Sequence, residues 1–210
     1  MKILIADKLS SKLIAALDKI GADIISNPDL KAEELSEAIG NANVLIVRSS
    51  KVYAETIEAG KNLELIIRAG AGVNNIDLEK ASSSGVYVAN CPGKNSDAVA
   101  ELALGHIIAC DRRIVDASLN LRNGYWKKKI YQKSAGLKKR TLGIIGLGSI
   151  GRALIKLARG LGMNVIAWSR SLTPDKADEL DLIYCDSIAE VAANADVVSV
   201  HLAVTPDTKQ

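Results

Sequence analysis

Thr141–Gly151, TLGIIGLGSIG, is the stretch from which the rest of the chain is read. Leu142, Ile144 and Ile145 make a short apolar strand, and Gly146, Gly148 and Gly151 follow it in G-x-G-x-x-G spacing. Ile150, Ala153, Leu154, Leu157, Ala158 and Leu161 then recur as the apolar stripe of a helix packed on a sheet. In such a strand, turn and helix the first glycine permits the tight turn. The second lets backbone approach a pyrophosphate, and the third lets the helix sit close to the strand. The helix start supplies unpaired N–H groups and a positive dipole end for the phosphate charge. Because the glycines sit between a strand and a helix, the motif reads as a dinucleotide site, against the alternative of a merely structural turn.

Downstream, Asn164–Trp168 is the expected second strand of the nucleotide unit, and the residue at its end bears on the cofactor. An acid there would bond the ribose hydroxyls of NAD, whereas a small polar residue with an arginine suits the 2′-phosphate of NADP. The chain has Trp168-Ser169-Arg170-Ser171, which favours NADP over NAD. A weaker strand is expected at Leu182–Tyr184 and another at Val197–Val200, with His201, Leu202 and Ala203 following at its carboxyl end. His201 has no visible carboxylate partner, so a general-acid role has little support.

Upstream, strand-like and helix-like segments alternate from Lys2, as in a parallel sheet covered on both faces. Strands are expected at Ile3–Ala6, Asp23–Ile25, Val44–Val47, Leu65–Ile67 and Val86–Ala89. Ligands of such sheets bind beyond the strands' carboxyl ends. There Val47 is followed by Arg48-Ser49-Ser50-Lys51, and Ile67 by Arg68-Ala69-Gly70-Ala71-Gly72. Two guanidinium groups beside a glycine-rich turn make a candidate anion site, since arginine grips carboxylate or phosphate through paired hydrogen bonds. The alternative is that each arginine pairs with a local acid such as Asp7 or Asp77. Asn90–Ser96 has loop composition and marks the expected boundary between domains at residues 1–95 and 96–210. In the helix that follows, His106 and Cys110 fall on the apolar stripe and read as core residues.

Composition narrows the classes. With 48% hydrophobic and 24% charged residues the 210-residue chain can bury cores, and a net charge of +3 is too small to argue for nucleic acid. The basic run from Lys127 to Arg140 reads equally as a solvated loop between domains or as a contact to an anionic substrate. Cys91, Cys110 and Cys185 share no metal-type spacing, so no metal site is expected and a reduced, cytoplasmic setting is the simplest inference. The N-terminal apolar run is too short for a signal peptide, and no run is long enough to span a bilayer.

Taken together, Val47-Arg48-Ser49, Arg68–Asp77, Asn90–Ser96, Ala100-Glu101-Leu102, Asn123–Trp126, Thr141–Arg152 and Val200–Thr208 resemble, in order, the D-isomer-specific 2-hydroxyacid dehydrogenases. Within that family the likeness is to the D-3-phosphoglycerate dehydrogenases. The resemblance implies an α/β protein: a flavodoxin-like substrate domain, then a partial Rossmann domain, with the cleft between them. It implies oxidation of 3-phosphoglycerate to 3-phosphohydroxypyruvate with NAD or NADP, a step of serine biosynthesis. A glyoxylate or hydroxypyruvate reductase and a non-catalytic nucleotide-binding protein are the alternatives. By the same resemblance Arg48 and Arg68 would contact substrate phosphate, and Ala71, Gly72, Val73 and Asn74 would hold its carboxylate. Gly146, Gly148, Ser149, Ile150, Gly151 and Arg152 would meet the pyrophosphate, with Ser169 and Arg170 at the adenosine ribose. His201, Leu202 and Ala203 would border the nucleotide, His201 not being the family's catalytic histidine. Tyr125–Lys129 matches a dimer-wrapping segment, implying a homodimer or higher oligomer. The family's catalytic arginine, glutamate and histidine follow the point where this sequence ends, so no catalytic residue is expected within it.

Overall fold

The short apolar runs of the first ninety residues pair as parallel strands, because each is followed by a helix that carries the chain back across the sheet. The computed structural model of the protein describes residues 1–205 and 208. Contacts divide it into two compact units, Met1–Asn95 and Ser96–Gln210.

The first unit runs β1 (Lys2–Ile5), α1 (Ser11–Asp18), β2 (Asp23–Ser26), α2 (Leu35–Ala38), β3 (Val44–Val47), α3 (Ala54–Ala59), β4 (Leu65–Arg68), α4 (Leu78–Ser83) and β5 (Tyr87–Ala89). Its sheet order is β2-β1-β3-β4-β5, the flavodoxin-like winding. The strands alternate in what they bury. Leu4, Leu45, Val47 and Ile66 pack with Leu35, Ile39 and Ile57, while Ile3, Ile5, Val44 and Ile46 pack with Ile14 and Leu17 of α1.

The second unit runs α5 (Ser96–Arg112), α6 (Ile114–Arg122), α7 (Lys128–Tyr131), β6 (Thr141–Ile145), α8 (Ser149–Gly160), β7 (Asn164–Trp168), α9 (Pro174–Glu179), β8 (Ile183–Tyr184), α10 (Ile188–Asn194) and β9 (Val197–Val200). The strand order is β8-β7-β6-β9, all parallel, so β6 lies where the winding reverses direction. Leu142 and Ile144 face α8 and α5, and Ile145 faces Val191 of α10. Gly143 is the small residue that lets α10 approach, since a Cβ there would lie 2.5 Å from Val191 Cγ1 and 2.9 Å from Ala195 Cβ. Ser10, Asp77, Thr173 and Ser187 cap α1, α4, α9 and α10 through side-chain oxygens. Among the described residues no helix is long and apolar enough to cross a membrane.

Placing a methyl between β6 and α10 overpacks a fully buried contact. Gly143→Ala should therefore lower unfolding stability by about 1–3 kcal/mol, read as a fall in urea midpoint at unchanged m-value.

Candidate functional site

The turn from β6 to α8 holds its three glycines for different reasons. Gly146 has φ +101°, and a Cβ there would lie 2.5 Å from the carbonyl oxygen of His201. A Cβ at Gly151 would overlap the Gly146 carbonyl oxygen, so its absence lets α8 begin directly on the turn. Gly148 is the exception. Its backbone is extended, at φ −71° and ψ −171°, which any residue adopts, and a Cβ would meet no protein atom within 4 Å. Nothing inside the protein calls for glycine there.

Gly148 is also the residue that caps α8, and it brings no side chain to do so. The N–H groups of Ser149, Ile150 and Gly151 at the helix start have no acceptor within the helix, and no acid lies in the first turn. A positive, donor-rich end thus opens beside the one glycine of the motif that meets no protein atom.

Beyond the carboxyl end of β7 lies a pocket of about 250 Å³ lined by Leu147, Arg152, Ser169, Ser171, Leu172, Lys176, Glu179 and Leu180. Ser169 is in this lining, whereas Arg170 is exposed outside it. The cations the structure brings there are Arg152 and Lys176. Arg152 Nε donates to the Leu147 carbonyl (3.2 Å) and Lys176 Nζ to the Ser171 carbonyl (3.4 Å). Lys176 escapes a reading of the sequence because α9 returns it to the strand end only after a Pro174 turn.

His201 continues the pairing of β9, its N–H donating to Ile145 O at 2.8 Å, so His201 and Leu202 lie against Gly146, with exposed Ala203 next in the chain. Its Nε2 is 2.9 Å from Ser199 Oγ. Among the described residues no histidine is hydrogen-bonded to a carboxylate. Burial holds the His201 imidazole below its ordinary value, so the ring is neutral at pH 7.

In the first unit, the ends of β3 and β4 frame a groove of about 580 Å³ lined by Arg48, Ser49, Arg68, Ala69, Gly70, Ala71, Cys91, Lys94 and Asn95. Neither expected acid pairs with the arginines. Asp77 caps α4 (Lys80 N–H to Oδ1, 2.9 Å), and Asp7 accepts from the backbone N–H groups of Arg48, Ser49 and Ser50. Burial pushes the Asp7 carboxyl up, but those donors outweigh it and hold it below the ordinary carboxylate value. Arg68 Nε donates to the Arg48 carbonyl at 3.0 Å, and its guanidinium lies over Gly70, where a Cβ would overlap it. Asn90 Nδ2 latches the turn through the Ala71 carbonyl at 2.6 Å. The lining ends at Ala71, so Gly72, Val73 and Asn74 continue the turn outside the groove. Lys94 is a third cation in the groove, concealed in the sequence by its loop composition.

One expectation is corrected, and one of two open readings is narrowed. His106 and Cys110 are exposed, lining a groove of about 700 Å³ where one face of α5 looks toward β9. They lie on the apolar stripe, but β9 is the edge strand of its sheet and leaves that face open. The basic run is not uniformly a solvated loop either: it lies within the second unit, and Arg140 bonds Asp111 (3.1 Å) and Asp196 (3.5 Å).

Residues 104–210 match the family model for the D-isomer specific 2-hydroxyacid dehydrogenase, NAD binding domain. The chain belongs to that family. The chain is 39% identical over all its 210 residues to D-3-phosphoglycerate dehydrogenase of Methanocaldococcus jannaschii, of which it spans 40%. Over 205 residues, 97% of its length, it is 38% identical to hydroxypyruvate reductase of Thermotoga maritima, of which it spans 64%. It thus spans less than two thirds of these curated relatives. Among solved structures, the TT0316 protein from Thermus thermophilus matches 99% of this chain and 67% of its own at TM-score 0.86 and 31% identity. The NAD+-bound 3-phosphoglycerate dehydrogenase of Entamoeba histolytica matches 100% of this chain and 65% of its own, at TM-score 0.79 and 30% identity. The family is one of NAD-dependent oxidoreductases, and the parallel sheet built on β6 is its Rossmann-like nucleotide fold.

Two outcomes follow for this chain. Gly146→Ala should destabilise the chain by about 2 kcal/mol or more through strain and collision, seen as a lower Tm. In an NMR titration His201 should show a midpoint below about 6.5. The unfolded chain protonates first as pH falls through that value, so His201 withdraws stability from there down to its lower folded midpoint, and no more below it. A midpoint at or above the ordinary value contradicts the burial.

Proposed function

We propose that this chain carries the substrate-recognition and nucleotide-binding parts of a D-3-phosphoglycerate dehydrogenase. The proposed reaction converts 3-phosphoglycerate and oxidised nicotinamide nucleotide to 3-phosphohydroxypyruvate, reduced nucleotide and a proton, at the entry to serine biosynthesis. The observation that carries the nucleotide reading is Gly148, whose Cβ would meet no protein atom, beside a helix start whose first N–H groups have no acceptor among the described residues. Ser149, Ile150 and Gly151 would bind the pyrophosphate through backbone N–H, with Arg152 adding charge and His201, Leu202 and Ala203 bordering the bound molecule. When bound, the nicotinamide supplies the redox chemistry. The chain's own part is to hold and orient the dinucleotide.

Residues 1–95 are proposed as the substrate domain and 96–210 as the nucleotide domain. Arg48, Arg68 and Lys94 give the first a groove rich in positive charge, which suits a substrate bearing phosphate as well as carboxylate. The Ala71–Asn74 turn would take the carboxylate. The likeness to hydroxypyruvate reductase of Thermotoga maritima, at 38% identity, supports a second reading with an unphosphorylated substrate. For the nucleotide, Ser169 with Arg152 and Lys176 in one pocket, and the exposed Arg170 next to Ser169 in the chain, support NADP over NAD. Exposed Tyr125, Trp126 and Ile130 support a homodimer formed through the segment around α7, and three free cysteines suit a cytoplasmic setting.

Gly148→Ala separates binding from folding. Stability should stay within about 1 kcal/mol of the parent chain, while affinity for NADPH, followed by nucleotide fluorescence, should fall at least about tenfold. Arg68→Ala should weaken 3-phosphoglycerate binding about 10- to 100-fold, the loss of a charge-assisted contact. Calorimetry showing unchanged affinity, or glyoxylate bound as tightly as 3-phosphoglycerate, would sink the phosphorylated-substrate reading. Tighter binding of NADH than of NADPH would overturn the NADP preference.

A further inference from the structure

Asp7 follows β1 by two residues, and β1 lies beside β3, so its side chain meets the loop that leaves β3 with Arg48. A single carboxylate oxygen, Oδ2, accepts three consecutive backbone N–H groups: Arg48 at 2.7 Å, Ser49 at 3.1 Å and Ser50 at 3.0 Å. The loop is held from its other side as well, Asn75 Nδ2 donating to the Ser50 carbonyl at 2.7 Å. The Arg48 carbonyl so oriented accepts from Arg68 Nε at 3.0 Å. One acid thus leads through one peptide group to the second guanidinium.

Asp7 makes no ion pair among the described residues, so its charge is compensated by backbone dipoles and both guanidinium groups keep their charge for a ligand. Pairing it directly with either arginine would cancel charge in the groove. A neutral acceptor would hold the loop less firmly, since hydrogen bonds to an ionised carboxylate are roughly twice as strong as neutral ones.

We propose that Asp7 is the positioning residue of the anion site, setting the Arg48–Ser50 loop and, through the Arg48 carbonyl, the Arg68 guanidinium. The proposal rests on the reading of that groove as the substrate-phosphate site. It makes Asp7 a determinant of affinity without contact to the ligand.

The test is calorimetric titration of the 210-residue chain with 3-phosphoglycerate at a temperature well below unfolding, for the parent, Asp7→Ala, Arg68→Ala and the double variant. Asp7→Ala should weaken binding about tenfold, with NADPH affinity unchanged, and Asp7→Asn, which keeps an acceptor, should recover part of the loss. Because Asp7 acts partly through Arg68, the double variant should lose clearly less than the product of the two single losses. Parent-like affinity in Asp7→Ala, or fully multiplicative losses, overturns the positioning role while leaving the anion site standing. A parent chain that takes up no 3-phosphoglycerate overturns the anion-site reading itself, and the proposal with it. Should Asp7→Ala not fold, Asp7→Asn carries the same cycle with about threefold weakening expected.

Discussion

The second unit depends on a close approach that leaves no room for side chains. The carbonyl of Gly146 occupies the place of a side chain at residue 151, and the end of β9 passes where one would stand at residue 146. These two contacts force the chain to turn sharply at the carboxyl end of β6 and start a helix at once. The helix start is thereby fixed beside the strand ends, with its donors turned outward. Anion binding at such a place needs no dedicated charged side chain, because the backbone supplies both the donors and the field.

Gly148 has a different status. Two glycines of the motif are explained by what they touch, and the third touches nothing. On the proposed reading, the neighbour that Gly148 leaves room for is the bound nucleotide. This difference among the three glycines is invisible in the spacing alone.

Both sheets are parallel, and parallel strands deliver their ends to one edge of each sheet. Arg48 follows β3 and Arg68 ends the adjacent β4 in the first unit, while Gly146, Ser169 and His201 follow three adjacent strands in the second. Among the described residues neither Arg48 nor Arg68 makes an ion pair, and Asp7 is engaged by backbone. Asp7 satisfies three donors that would otherwise be exposed at a loop, and Arg68 is held by a carbonyl instead of a carboxylate. Neutral anchoring of charged groups is what leaves them available.

By itself the sequence determined the α/β class, the strand positions to within a residue or two, and the glycine turn, because these rest on local periodicity and on residue types with few conformational alternatives. The residues after each strand were legible as site candidates for the same reason: parallel topology converts chain position into place. What only the tertiary structure decided was which neighbours those residues meet. Asp7 reads, in the alternative to an anion site, as a partner for an arginine side chain and instead binds the backbone beside it, since β1 and β3 become adjacent only when the sheet forms. Lys94 and Lys176 enter their pockets through loop and helix returns that periodicity does not encode. His106 and Cys110 carry the helical spacing of core residues, yet that spacing reports which face of a helix is apolar and not whether another element covers it.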